Sequence, residues 1–290
     1  MVSGSSKPLH TDQLTRIVPA QSPPPALELF EYHERRPSGL LASFVESIWF
    51  ARGHHGSATD LIAPTGSTVA AVVLGDPIRQ WLFDAPDKIF RAVDGYLIGA
   101  HDRPVVSRPE GLTFCVGVSA TPVGCLTAFG VAPEPIKRRV LGLDGTTLGT
   151  AEFRAELGQL TEPEAVLDRL EALLTLGLAA PDASVRRCQF VIDELTLDPT
   201  QSVDSLAYQL SMSHADLDLE FKTVVGLGPR ALARVIRVRA LLDEVDKRGI
   251  QLWTQFATDA GWFDQPALIR DFRRHTGVTP RDYVRSRLGS

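Results

Sequence analysis

The last third of this chain carries one pattern twice, about fifty residues apart. "VDSLAYQLSMSHADLDLEFKTVVGLGPRAL" and "WTQFATDAGWFDQPALIRDFRRHTGVTPRDY" each read as a short helix, a tight turn, a second helix and then Gly-x-x-Pro. Aligning Phe221 with Phe272, Gly226 with Gly277 and Pro229 with Pro280 keeps both copies in register. The spacing has a physical meaning. Glycine supplies a helix-ending residue able to adopt φ > 0, and the proline three positions on forbids continuation of the same helix. Between the copies, "RALARVIRVRALLDEVD" predicts a helix with Leu232, Val235, Ile236 and Leu242 facing inward, able to hold two small helical units at a fixed spacing.

In the second copy Leu268, Ile269, Phe272 and His275 recur at helical spacing and predict one buried face. Asp264 with Pro266 behind it makes a good helix start, and Arg270, Arg273 and Arg274 fall on the outward faces. The charge balance gives those arginines weight. The chain carries a net charge of −5, with 15 basic against 20 acidic groups over residues 1–181 and 15 against 15 over 182–290. Residues 265–290 hold six arginines against two aspartates. A polyanion would therefore be held by a local patch, since the overall charge is of the wrong sign.

Ahead of the repeat the pattern changes. With 290 residues and 44% apolar content the chain can bury two ordinary cores. Residues 1–28, with "SGSSKP" and "PAQSPPPA", predict a disordered arm. Residues 29–178 predict a separate domain with its own core. Within it, from Leu40 to about Leu143, short apolar runs such as "STVAAVVLG", "IRQWLF" and "TFCVGVSA" are separated by Gly, Pro and Asp, as in a β-rich barrel or sandwich. Thr161 and Glu164 form a T-x-x-E capping box ahead of a stripe of Val166, Leu170, Leu173, Leu174 and Gly177, which reads as core packing or, alternatively, as a dimer face. "AAPDAS", 179–184, predicts a linker, and 185–290 an all-α domain. The fold class is α+β: a β-rich barrel or sandwich with flanking helices, then two helix-turn-helix units joined by a linker helix.

The tandem arrangement, and above all "FATDAGWFDQPALIRDFRRHTGVTPRDYVR", resembles the DNA-binding domain of AraC/XylS-family transcription regulators over roughly residues 185–287. The resemblance implies two recognition helices entering successive major-groove faces on one side of the DNA, about 34 Å apart. It places Gln265, Ala267 and Arg270 where family members approach base edges, and arginine suits bidentate contact with guanine. Arg273 and Arg274 are expected at phosphates. Pro266 and Ala267 depart from the family's usual small polar residue and histidine. In the first unit, "SHADLDLEFK" opens with Ser213 and His214, and the resemblance aligns Ala215, Asp218 and Leu219 with base-contacting positions. Asp216, Asp218 and Glu220 there are expected to meet the phosphate backbone and repel it. Residues 40–175 resemble an uncharacterised domain often joined to such DNA-binding regions. In the wider family the equivalent region senses a small molecule or mediates dimerisation.

Enzymatic constellations are weaker. His54, His55 and His101 lack the H-x-H spacing with a glutamate that a metal site would need, and adjacent histidines project to opposite sides of a strand. Cys115, Cys125 and Cys188 show no C-x-x-C pattern and predict buried thiols in a reducing compartment. "GVSATPVG" is not a G-x-S-x-G elbow. The expectation is a cytoplasmic DNA-binding regulator without enzymatic activity, metal or cofactor. Its candidate partners are double-stranded promoter DNA, a small-molecule effector, RNA polymerase and a second copy of itself, with no membrane. The alternative is a sensing or interaction module whose helix-turn-helix pair does not grip DNA alone.

Overall fold

The computed structural model describes residues 16–18, 30–54, 59–178, 180–248, 262 and 264–288. Two sheets and two sets of helices stack in layers. Arg16–Val18 (β1), Asp60–Ile62 (β4), Val105–Pro109 (β9), Ile78–Leu82 (β6) and Phe90–Ala92 (β7) lie in that order in a five-stranded sheet. Val140–Leu141 (β11), Gly95–Ile98 (β8), Val69–Val73 (β5), Leu112–Ala120 (β10), Val45–His54 (β3) and Phe30–Arg35 (β2) form a six-stranded one. Pairing is antiparallel except between β1 and β4. The pair is a sandwich rather than a closed barrel.

Alternation along the strands builds three of the cores. On β6, Ile78 and Leu82 point into the sandwich, where they meet Ala71, Val73, Tyr96, Ile98 and Cys115 of the other sheet. The far face of the six-stranded sheet, with Ile48, Phe50, Val72, Val116 and Val118, is covered by Cys125–Phe129 (α1), Ala151–Gln159 (α3) and Pro163–Leu176 (α4). Val166, Leu167, Leu170 and Leu174 are fully within that core, so the stripe on α4 is packing surface and is not available as a dimer face. A short helix, Pro133–Ile136 (α2), precedes β11.

The outer face of the five-stranded sheet carries the C-terminal helices. Leu61, Trp81 and Val106 form one cluster with Val238, Leu241 and Leu242 of Pro229–Arg248 (α8), with Leu268 and Phe272 of Gln265–Thr276 (α9), and with Tyr283 of Pro280–Leu288 (α10). The first unit uses the loops instead. Ala183–Leu197 (α5), Val203–Gln209 (α6) and His214–Val224 (α7) pack with Phe44, Ala100 and Val123. Two of the buried clusters therefore contain side chains from both sides of the segment expected as a linker. Asp182 within that segment already caps α5, accepting from Val185 N at 2.8 Å.

Three local expectations differ from the structure. Arg16–Val18 lies within the arm expected to be disordered, yet its backbone pairs in parallel with Asp60–Ile62, whose other side is taken by β9. The T-x-x-E box is not used: α4 starts at Pro163 with Glu162 at the cap and no side-chain cap bond, since proline at the first position sets the start. Ile269 is 39% exposed, lying just off the buried arc set by Leu268 and Phe272. The predicted first helix of the second repeat, residues 253–260, and His55 lie outside the described residues.

Gly277 ends α9 with φ +79° and its N–H donates to Arg273 O at 2.9 Å. A Cβ there would lie 3.0 Å from Leu61 Cδ2 and 3.4 Å from the Phe83 ring. Gly277→Ala is expected to lower stability by about 1–2 kcal/mol, read as a reduced urea midpoint, because it adds left-handed strain to a tight contact with the sheet. An unchanged midpoint would mean that neither constraint is felt.

Candidate nucleic-acid interface

From the buried phenylalanine to the proline that follows it, the two repeats share one backbone design. Phe221 and Phe272 are both fully buried, Gly226 and Gly277 both take positive φ (+86° and +79°), and Pro229 and Pro280 open α8 and α10. In the first unit, the turn between α6 and α7 is made by Ser211 at φ +56°, whose N–H donates to Tyr208 O at 3.0 Å. Such a backbone is uncommon for a residue with a Cβ, and it fixes the sharp angle at which α7 leaves α6.

Helix α7 begins at Ser213, whose Oγ accepts from Asp216 N at 3.1 Å while its hydroxyl donates to Asp216 Oδ2 at 2.7 Å. Leu217 and Phe221 face inward. His214 is half-buried, 3.6 Å from Asp204. The carboxylates expected to confront phosphates are engaged within the protein. Asp218 pairs with Lys222 at 2.6 Å, and Glu220 receives both arms of Arg187 from α5 at 2.9 and 2.7 Å. Glu220 is turned away from the outer surface. What α7 presents outward is Ala215, Asp216 and Leu219, the last 65% exposed.

Helix α9 starts at Asp264, whose Oδ1 accepts from Ala267 N at 2.6 Å. Gln265, Arg270 and Arg273 are exposed, and among the described residues no acidic group pairs with either arginine. Ala267 is only half-exposed and packs against the sheet cluster, which divides it between reading and packing. The inward side holds Leu268, Phe272, His275 and Thr276. Arg274 behaves differently from its neighbours. Its Nη2 donates to Asp102 Oδ2 at 2.8 Å, across to the loop that follows β8.

Asp102 was not singled out by the sequence, although "GYLIGAHDRPVVS" held a signal. A charged pair inside an apolar run must find partners if the run is buried. The Asp102 side chain is 7% exposed and lies 3.4 Å from Arg103 and 3.5 Å from Arg138 as well as against Arg274. Burial works to raise its pKa, but the bond from Arg274 and the charges of Arg103 and Arg138 outweigh that and hold it below the ordinary aspartate value. Asp84 takes the second role, pairing with Arg138 at 2.6 Å and Arg103 at 3.2 Å.

The thiols of Cys115, Cys125 and Cys188 are free and buried, and burial pushes them up to about 12, 11 and 12. Among the described residues no three His, Cys, Asp or Glu side chains are grouped to hold a metal ion, and no helix is long and apolar enough to cross a membrane.

The helix-turn-helix domain family matches residues 206–286, the span from α6 through α10. The C-terminal region is a helix-turn-helix domain. No curated protein matches the chain significantly. Among solved structures it is similar to ToxT from Vibrio cholerae, at 10% identity over 89% of this chain and 98% of that one, with a TM-score of 0.48. Unsaturated fatty acid bound wild-type ToxT from Vibrio cholerae strain SCE256 aligns at 11% identity over 89% and 95% of the two chains, with a TM-score of 0.47.

Two buried histidines, His101 after β8 and His275 on α9, carry a pH consequence. His101 Nδ1 lies 3.0 Å from Gly99 O, and burial lowers its pKa to about 4. His275 Nδ1 lies 2.6 Å from Asp271 O and is lowered for the same reason. Both are neutral when folded, so below the unfolded value near 6.5 the unfolded chain binds more protons and stability falls with pH. The loss continues until the folded value is passed, at about 4 for His101, and amounts to roughly 3 kcal/mol for that residue. Chemical denaturation between pH 7 and 4.5 is expected to register it, and His101→Gln to flatten the profile. A pH-independent midpoint over that range would contradict neutral burial.

Proposed function

We propose that the protein is a sequence-specific DNA-binding transcription regulator that responds to a small molecule through its sandwich. One observation supports this above the others: α9 presents Gln265, Arg270 and Arg273 to solvent on an AraC-type frame whose opposite side is locked to a sheet. A helix held in this way offers rigid donors to a groove. Arg270 is the base-reading residue of the proposal, suited to guanine O6 and N7, with Gln265 and Ala267 beside it. Arg273 reaches a phosphate. In the first unit Ser213 and His214 approach the backbone from the start of α7, and Asp218 accepts from a cytosine amino group or stays with Lys222.

The alternative of a pair that does not grip DNA rests on the acidity of α7. Cationic partners for Asp218 and Glu220 weaken that objection, while Asp216 keeps an exposed charge at the start of α7. As a regulator the protein acts at promoter DNA beside RNA polymerase. A second copy, where present, would dock on a surface other than the buried stripe of α4.

The sandwich offers a place for the small molecule. A half-open cavity of about 790 Å³ is lined by apolar Leu82, Phe90 and Leu141 and by Lys88, Arg138 and Arg139, with Asp84 paired to Arg138. Such a site suits a ligand with an apolar body and a negative end.

Selection of preferred sequences from random DNA, followed by competition against single-base variants, tests the reading. Arg270→Ala is expected to cost about 1–3 kcal/mol and to relax preference at one base position, whereas Arg273→Ala weakens binding similarly on all sequences and lowers the salt slope by roughly one. If Arg270→Ala keeps full preference while Asp218→Ala abolishes it, readout lies in α7 and the assignment is reversed.

A further inference from the structure

The sequence pattern places Arg274 among phosphate-contacting residues, but its surroundings give it another task. It lies one helical turn from Arg270, so whatever holds Arg274 also sets the rotation of α9 about its own axis. What holds it is Asp102, which belongs to the sandwich and is almost wholly removed from water. The apolar face of α9, with Leu268 and Phe272, holds the helix on the sheet, but apolar contact is non-directional and sets its rotation less sharply than a polar contact does. A hydrogen-bonded ion pair at 2.8 Å cannot slide. Moving Arg274 to a phosphate would leave the buried Asp102 with Arg103 at 3.4 Å and Arg138 at 3.5 Å, both also drawn to Asp84.

Resting on the reading of α9 as the DNA-reading helix, we infer that Arg274 is a positioning residue: its ion pair with Asp102 fixes the angular setting at which Gln265 and Arg270 meet the groove, and it does not contact DNA. Asp102 is then a determinant of DNA selectivity although it sits in the sandwich. Arg138 belongs both to this junction and to the wall of the 790 Å³ cavity, so the junction is where that cavity and the reading helix meet.

The test uses the full chain and a DNA sequence that the unaltered protein selects from a random pool. Affinity for that sequence and for scrambled DNA is measured at several salt concentrations for Arg274→Gln, Asp102→Asn and the double variant. Each single variant is expected to lose roughly tenfold in affinity for the selected sequence while keeping the salt slope and the affinity for scrambled DNA. The double variant is expected to lose no more than the worse single one, because the two changes remove one interaction. A phosphate contact gives the opposite set: Arg274→Gln lowers the slope by about one and weakens both DNAs alike, and Asp102→Asn changes nothing. Fully additive losses, or no loss in either variant, also overturn the inference. Arg274 is 40% exposed, so Arg274→Gln remains decisive by slope and selectivity even if Asp102→Asn fails to fold. Absence of any salt-dependent binding by the unaltered protein would overturn the DNA-binding reading itself, and the inference with it.

Discussion

The outer face of the five-stranded sheet cannot face water, and the rest of the structure depends on how it is covered. Leu61, Trp81 and Val106 project from that face as a contiguous apolar patch, while the same strands bury Ile78, Leu82 and Val105 on the other side. Helices α8 and α9 supply the cover with Val238, Leu241, Leu242, Leu268 and Phe272. A sheet buried on both faces and helices with one apolar side thus stabilise each other. The consequence is mechanical. The second unit is seated on the sandwich as a part of its core, so the setting of its outward arginines is determined by a domain that never touches DNA in this account.

The first unit is seated differently, through loops and the short helix α2. Gly226, at the end of α7, lies so close to Pro133 and Ala100 that a Cβ there would stand 3.2 Å from Pro133. Ion pairs reinforce the seating at the spacer, where Arg239 meets Glu46 at 3.2 Å. The two units therefore share a backbone frame but differ in charge. On α7 Asp218 and Glu220 are met by Lys222 and Arg187, which leaves Asp216 as the exposed acid beside Leu219. On α9 Arg270 and Arg273 point outward. Affinity and readout are accordingly assigned to the second unit, and groove contact of modest strength to the first.

Much of this was legible in the sequence because it is local. The Phe, Gly and Pro of each repeat report burial, left-handed backbone and helix start at fixed offsets, and the structure has all three in both copies. Leu232, Val235 and Leu242 face inward as their spacing requires. What sequence reasoning missed is long-range or competitive. Asp102 and Arg274 are 172 positions apart, and nothing in either neighbourhood names the other. Glu220 reads as a surface acid until Arg187, on another helix, is placed beside it. The capping box at Thr161 lost to a proline two residues on, and Ile269 fell outside the buried arc that Leu268, Phe272, His275 and Thr276 define. Two sets of buried side chains cross from sandwich to helices, which no local period can disclose.

The central claim is that two helix-turn-helix units on one rigid seat face the same side of a duplex, with base readout concentrated in α9. A hydroxyl-radical footprint combined with base-methylation interference, on DNA selected by the full chain, tests this most directly. The account predicts two protected patches on one face of the duplex, about one helical turn apart, with strong interference at guanines under one patch only. A single protected patch, or equally strong interference under both, would contradict it.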